Sequence, residues 1–296
     1  MNDQKTVRSL IKGLLFLLPA AAIITLFTIS PMIQTIDMST YTSYNYFSHL
    51  VYAKGIDNFS YIFHDEEFFL ALKNTLVYVL GVMPISICLS LLIAILLNSQ
   101  KYIKRLCQTI YFLPFVTSTL AISFVWQWIF HSDYGLLNDF LRWIGLRPVK
   151  WLLEPKWAMV SLIVLGVWKS LGYNIIIFLA GLQNIDEQYN RAARIDGASP
   201  WQRTRMIVLP LLSPSIFFIT IVTLIDSFKV FDQVYALYGK TPGPRSSCLT
   251  IVYYIYEKFY NQFSYGIASA AVVVLYVIIL LLNGLQFWGS KKWVHY

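Results

Sequence analysis

Apolar residues gather into six runs separated by shorter polar, charge-bearing stretches: 13–33, 74–97, 106–130, 158–182, 211–237 and 267–287. Each reaches the ~20 residues that an α-helix needs to cross the hydrocarbon of a bilayer. Inside lipid, backbone N–H and C=O groups have no water to bond, so a lone span must satisfy them within itself, as helix. The period-two alternation of a membrane β-barrel is absent. The pattern therefore predicts an all-α, polytopic membrane protein with about six transmembrane helices. The first run follows Lys5, Arg8 and Lys12, as the core of a signal peptide would. Its length, and the lack of a clear small-residue cleavage pattern, predict a retained anchor helix.

Composition supports this reading and excludes others. Hydrophobic residues make up 57% of the chain and charged residues only 13%, where a soluble domain carries about a quarter. Trp and Tyr crowd the ends of the apolar runs, as amphipathic rings do at headgroup depth. The net charge of +8 could mean nucleic-acid binding, but the basic residues sit in short loops between apolar runs, where they set topology. Lys5, Arg8, Lys12, Lys101, Lys104, Arg105, Arg191, Arg194, Arg203, Arg205, Lys291 and Lys292 fall on one side, in the shorter loops. Lys54, Arg142, Arg147, Lys150, Lys156, Lys240, Arg245 and Lys258 fall on the other. That density predicts both termini in the cytoplasm. Cys88, Cys107 and Cys248 have no metal-ligand spacing, and neither a disulfide nor a metal is expected. No linker, low-complexity stretch or internal repeat interrupts residues 1–296, which read as a single membrane domain.

The cytoplasmic loop 184–206 stands out by its charge. Two short amphipathic helices fit it, one capped by Asp186 and the other by Ser199 with Pro200 at its first position. Gly197 lies between them, where the chain reverses and needs a positive φ. The loop reads Arg191-Ala192-Ala193-Arg194-Ile195-Asp196-Gly197-Ala198 and later Ile207-Val208-Leu209-Pro210. This string resembles the EAA loop of ABC importer permeases: Glu-Ala-Ala, three residues, Gly, nine residues, then Ile-x-Leu-Pro. Leu179 to Gln183, Ala198 to Arg203, Phe231 to Tyr235 and Tyr265 to Ala270 are similar to the carbohydrate-uptake branch, the maltose and glycerol-3-phosphate type. The chain departs from the pattern in places: Arg191 stands where the family usually has Glu, Asp186 where it often has Pro, and Thr241-Pro242-Gly243-Pro244 where it has a Gly-Gly-Pro turn after the fifth helix. The resemblance covers most of the chain.

The resemblance implies a permease subunit in the bacterial inner membrane, forming half of a translocation pathway for a carbohydrate. It implies a second homologous permease subunit, two ABC ATPase subunits and an extracytoplasmic solute-binding protein as partners. It also assigns ATPase coupling to Arg191, Ala192, Ala193, Asp196, Gly197, Ala198, Ile207, Leu209 and Pro210. ATP and Mg would be held by the partner ATPase subunits, with no cofactor in this chain. Independently, a motor needs something rigid and exposed to push on, and a short docked helix serves that purpose. An ordinary interfacial helix lying on anionic lipid through Arg194, Arg203 and Arg205 is the plainer alternative.

Ionisable residues within apolar runs are costly and are functional candidates for that reason. Asp226, Lys229 and Asp232 are spaced three apart and would form a stripe on one face of the fifth helix. Lys169 falls near the middle of the fourth, with Tyr173 one turn later and Trp168 and Asn174 beside them. A sugar needs hydroxyl-bonding groups and aromatic faces, and this set supplies both. A structural ion pair, Lys169 with Asp226, explains the same charges, and Asp232, near the outer surface, suits a structural or gating role. The mid-membrane lysines hint at an acidic or phosphorylated substrate. His49, His64, His131 and His295 lie in loops or at ends, with no His-Glu-x-x-His and no phosphate-cradling glycine loop. The chain is thus expected not to hydrolyse ATP. A motor-independent secondary transporter or channel, or a membrane-embedded enzyme, remains as an alternative class.

Overall fold

The computed structural model describes residues 2–45, 48, 50–98 and 104–294. Lys101, His49 and His295 lie outside the described residues. Helices dominate, and the chain divides into two compact units, Met1–Asp65 with Ile255–Tyr276, and Glu66–Tyr254 with Val277–Tyr296.

In the first unit, α1 (Asn2–Ile24) runs through a π turn, Thr25–Ile29, into α2 (Ser30–Met38). Its apolar stretch Gly13–Met38 has no part of its most apolar window buried in the chain itself, as suits a helix facing lipid or another subunit. A hairpin follows, β1 (Tyr41–Asn45) paired antiparallel with β2 (Leu50–Lys54), and then α3 (Asp57–Ile62). The six-run reading missed this hairpin, because its ten or so residues carry no long apolar period. Asn58 Nδ2 donates to the carbonyls of Ser39 and Tyr41, both at 2.9 Å, and ties α3 to the hairpin. Lys258, nearly buried, meets Asp65 at 3.4 Å.

The second unit holds most of the remaining helices. Its centre is the pairing of α4 (Glu66–Asn98) with a later long helix, so α5 (Lys104–Val116), α6 (Thr119–Ile129) and α7 (Leu136–Trp143) come between them in sequence. The later helix is α8 (Pro155–Gln183), which also packs on α5. Close approach of α5 and α8 depends on Gly172: a Cβ there would lie 2.0 Å from the Tyr111 carbonyl oxygen. The loop 184–206 forms α9 (Glu187–Ile195) and α10 (Pro200–Arg203), and then a π turn, Thr204–Val208, leads into α11 (Leu209–Leu211). α12 (Ser213–Phe228), α13 (Asp232–Leu237), α14 (Ile251–Tyr256) and α15 (Tyr265–Ser290) complete the order. Ala94, Ile175, Phe178, Leu179, Leu182, Leu212 and Ile219 form a buried cluster joining α4, α8 and α12 beside the loop, with Ile185 and Val208 packed against it.

Among the described residues, four helices are long and apolar enough to cross a membrane, and two bent pairs raise that to six if each pair is one span. The structure corrects two of the predicted runs. The third, 106–130, is not one helix: α5 and α6 meet at 101°. The fifth, 211–237, is broken at both ends. A 65° bend precedes α12, between Leu211 and Ser213, where Pro210 and Pro214 deny helical hydrogen bonds. The helix then stops at Phe228, since Lys229 (φ −92°, ψ 9°) and Phe231 (φ −144°, ψ −58°) leave helical geometry. Irregular backbone at membrane depth survives only where protein groups satisfy it. Here the buried Thr250 hydroxyl donates to the Val230 carbonyl at 2.9 Å.

Candidate functional site

The break after α12 shapes a cavity of about 310 Å³. Tyr78 and Val82 of α4, Phe115 of α5 and Thr119 of α6 line it, with Gly166, Lys169, Ser170, Tyr173 and Asn174 of α8. The end of α12, the Lys229–Phe231 link and the start of α13 supply the rest, including Thr223, Asp226, Ser227, Asp232 and Gln233. Six of the seven residues singled out in the apolar runs therefore meet at one place. They do so differently from expectation. Asp226, Lys229 and Asp232 do not form a stripe on one helix face, because Lys229 caps α12 and Asp232 opens α13. It is the interruption of the helix that turns all three toward the same space. Trp168 does not line the cavity; its ring packs edge-on against Trp126 at 5.4 Å.

The ion pair between Lys169 and Asp226 does not form either. Among the described residues, no carboxylate lies within 4.0 Å of the Lys169 or Lys229 ammonium. Lys169 Nζ instead donates to the Thr119 hydroxyl, which sits at the first position of α6. The 101° bend between α5 and α6 brings that hydroxyl to α8, and the apolar pattern carries no sign of such a bend. Tyr173 stacks on Phe115 with centroids 5.0 Å apart and planes 26° apart, so one aromatic wall is built from two helices. Asn174 is buried, and its Nδ2 has no hydrogen-bond partner, an uncommon condition for a buried amide.

A second cavity in the same unit, of about 830 Å³, lies at the other end of α13. The end of α6, the segment Phe130–Tyr134 and the turn Leu237–Pro244 line it. His131 stacks on Tyr134 with centroids 3.5 Å apart. The segment is fixed by buried Asn138, which donates to the Ser132 and Val149 carbonyls and accepts from Val149 N and Trp151 Nε1.

The caps and the turn of the loop 184–206 have the geometry expected of them. Asp186 Oδ1 accepts from Gln188 N at 2.9 Å and starts α9. Gly197 adopts φ +75°. Ala198 N donates to Ala193 O at 2.9 Å and Gly197 N to Arg194 O at 3.2 Å, the paired bonds of a glycine-terminated helix end. Ser199 and Gln202 form a reciprocal capping box that starts α10. The second short helix does not end within the loop as expected but runs on through the π turn, because Pro210 cannot donate back into the preceding turn. Arg191, the departure from the EAA pattern, pairs at 2.7 Å with Glu187 one turn earlier. That guanidinium bond holds the Glu187 carboxyl below its usual range. Ala193 is buried and Ala192 exposed. Three large apolar groups missed by the sequence reading, Ile195, Trp201 and Met206, are 86%, 69% and 74% exposed on this loop. Neither helical periodicity nor the EAA spacing marks them, since exposure depends on how α9 and α10 sit.

Residues 86–294 match the family described as "Binding-protein-dependent transport system inner membrane component". The chain is 36% identical over 288 residues to the lactose transport system permease protein LacF of Rhizobium radiobacter, covering 95% of each. It is 30% identical over 268 residues to the trehalose/maltose transport system permease protein MalF of Thermococcus litoralis, covering 90% of each. Among solved structures, a chain of a bacterial ABC transporter involved in the import of the acidic polysaccharide alginate superposes with a TM-score of 0.82. The two are 27% identical and each covers 99% of the other. A bacterial alginate ABC transporter has also been crystallised with a periplasmic protein carrying an alginate pentasaccharide.

Proposed function

Since the chain belongs to the binding-protein-dependent transport system inner membrane component family, we propose that it is the permease subunit of an ATP-driven importer of a sugar or oligosaccharide. In this reading the 310 Å³ cavity is part of the sugar's path. An extracytoplasmic binding protein delivers the solute, and a second, related permease completes the pathway. Two ATPase subunits, which bind ATP and Mg, dock on the loop 184–206, with both termini on the same cytoplasmic side. Arg191, Ala192, Ala193, Asp196, Gly197 and Ala198 form the docking helix and its turn. Ile207, Leu209 and Pro210 carry its movement into α12.

The observation that carries the coupling role is the junction of a doubly capped, exposed loop with the buried Leu182–Leu212 cluster. A push on α9 reaches α8 and α12 through packed side chains, and these two helices line the cavity. Close-packed interiors transmit displacement rather than absorb it. A motor-independent transporter has no use for such a loop.

Sugar contact is the reading favoured for the cavity charges, since Lys229 has no carboxylate within 4.0 Å to neutralise. Lys229→Ala is expected to lower uptake by about tenfold, the scale of one charge-assisted hydrogen bond, and to leave the amount of complex in the membrane unchanged. Uptake and membrane abundance are measured side by side. A fall in abundance that Asp226→Asn restores would instead make Lys229 a structural counter-ion.

A further inference from the structure

Resting on the permease reading above, we infer that the membrane cavity is built for an uncharged sugar and discriminates against sugars that carry carboxylate or phosphate. Four charged side chains line it, the cations Lys169 and Lys229 and the carboxylates Asp226 and Asp232. The two lysines alone point to an acidic sugar, but they share one small space with as many carboxylates, and that balance removes the hint. None of the four is neutralised by a contact pair within 4.0 Å among the described residues. Asp226, Lys229 and Asp232 are exposed to the open space. The carboxylate oxygens are therefore acceptors waiting for donors.

Sugar hydroxyls answer this inventory from both sides, since each donates once and accepts as well. They donate to Asp226 and Asp232 and accept from Lys229. They also accept from the Nδ2 of Asn174, a buried donor without a partner. A carboxylate or phosphate group accepts only, so where it replaces a hydroxyl it offers no donor to Asp226 or Asp232 and sets a like charge beside them. The larger cavity at the far end of α13 gives an anion no help. Its lining includes the carboxylate Asp133 and no Lys or Arg, with Trp128 and Tyr134 as aromatic faces. The chain's net charge of +8 is thus not expressed as a net positive charge in either cavity. At about 310 Å³ the inner cavity is at the foot of the roughly 300–1,000 Å³ range of ligand pockets, which suits one or two sugar rings at a time.

The test uses the purified complex of both permeases and the ATPases, without the binding protein, so that recognition by the latter does not enter. Saturation-transfer NMR measures the affinity of two matched pairs: galactobiose against digalacturonate, and glucose against glucose 6-phosphate. The neutral member of at least one pair is expected to bind about tenfold tighter or more. The Asp226→Asn, Asp232→Asn double variant is expected to strengthen binding of the anionic member about tenfold, an effect that shrinks as salt is raised. Equal or tighter binding of the anion in both pairs by the parent complex overturns the inference, as does a double variant that does not improve anion binding. Silence from all four sugars overturns it too. ATP hydrolysis in response to the binding protein is scored separately. A complex that responds but holds uronates as tightly loses the charge assignment and keeps the permease reading, whereas one that never responds loses the permease reading itself.

Discussion

Gly172→Val is expected to abolish the assembled permease. A Cβ at this position would lie 2.0 Å from the Tyr111 carbonyl oxygen and 2.8 Å from its carbon. Those atoms belong to the backbone of α5, so no side chain can swing away. The helices must separate, and with them goes the stack of Tyr173 on Phe115 that forms one wall of the cavity. Overpacking of this kind costs about 1–3 kcal/mol when side chains yield, and more is expected here because only backbone can. Membrane abundance of the tagged chain and its resistance to protease report the loss. Gly172→Ala should show the same defect in milder form. Normal abundance and uptake by Gly172→Val would mean that α5 and α8 are not in contact at this point.

Gly197→Val is expected to separate ATP hydrolysis from transport while leaving the protein in the membrane. Apart from Gly197 itself and its two chain neighbours, no atom of the chain lies within 4 Å of where its Cβ would be, so within this chain the substitution acts through conformation. At φ +75° a β-branched residue is strained by roughly 1–2 kcal/mol or more. Relief comes from unwinding the turn, which breaks the bonds of Gly197 and Ala198 to α9 and frees the angle between α9 and α10. Gly197→Asn supplies the control, because Asn tolerates the left-handed region. Sugar uptake should be lost in the Val variant while ATP hydrolysis continues, and uptake should be largely kept in the Asn variant. Equal loss in both would point to a contact with the motor rather than to backbone geometry.

Most of the helices are legible in the apolar runs. Four apolar stretches, Gly13–Met38, Glu66–Asn98, Pro155–Gln183 and Tyr265–Ser290, keep the length that a bilayer requires, whereas the third and fifth runs are broken by bends. The loop 184–206 is legible because caps and positive φ are local: Asp186, Ser199 and Gly197 act within a few residues of themselves. The bends are not. Hydropathy is blind to the direction of a helix, so the 101° turn between α5 and α6 leaves no mark on the pattern. The end of α12 is hidden for a related reason. Val230, Phe231 and Val234 continue the apolar run, but Thr250, twenty residues away, takes the Val230 carbonyl and allows the helix to stop. The cavity residues stand out as costly charges, and their meeting follows. Which atoms they bond does not, because Thr119 reaches Lys169 only through the bend. The hairpin 41–54 escapes because its strands are short and mixed in character.

The most direct test of the central claim is sugar uptake by proteoliposomes holding this chain with its second permease and ATPases, supplied with the loaded binding protein. Uptake should occur with ATP inside and stop with a non-hydrolysable analogue, and the purified chain alone should turn over no ATP. Sugar flux through this chain that continues without hydrolysis would contradict the account.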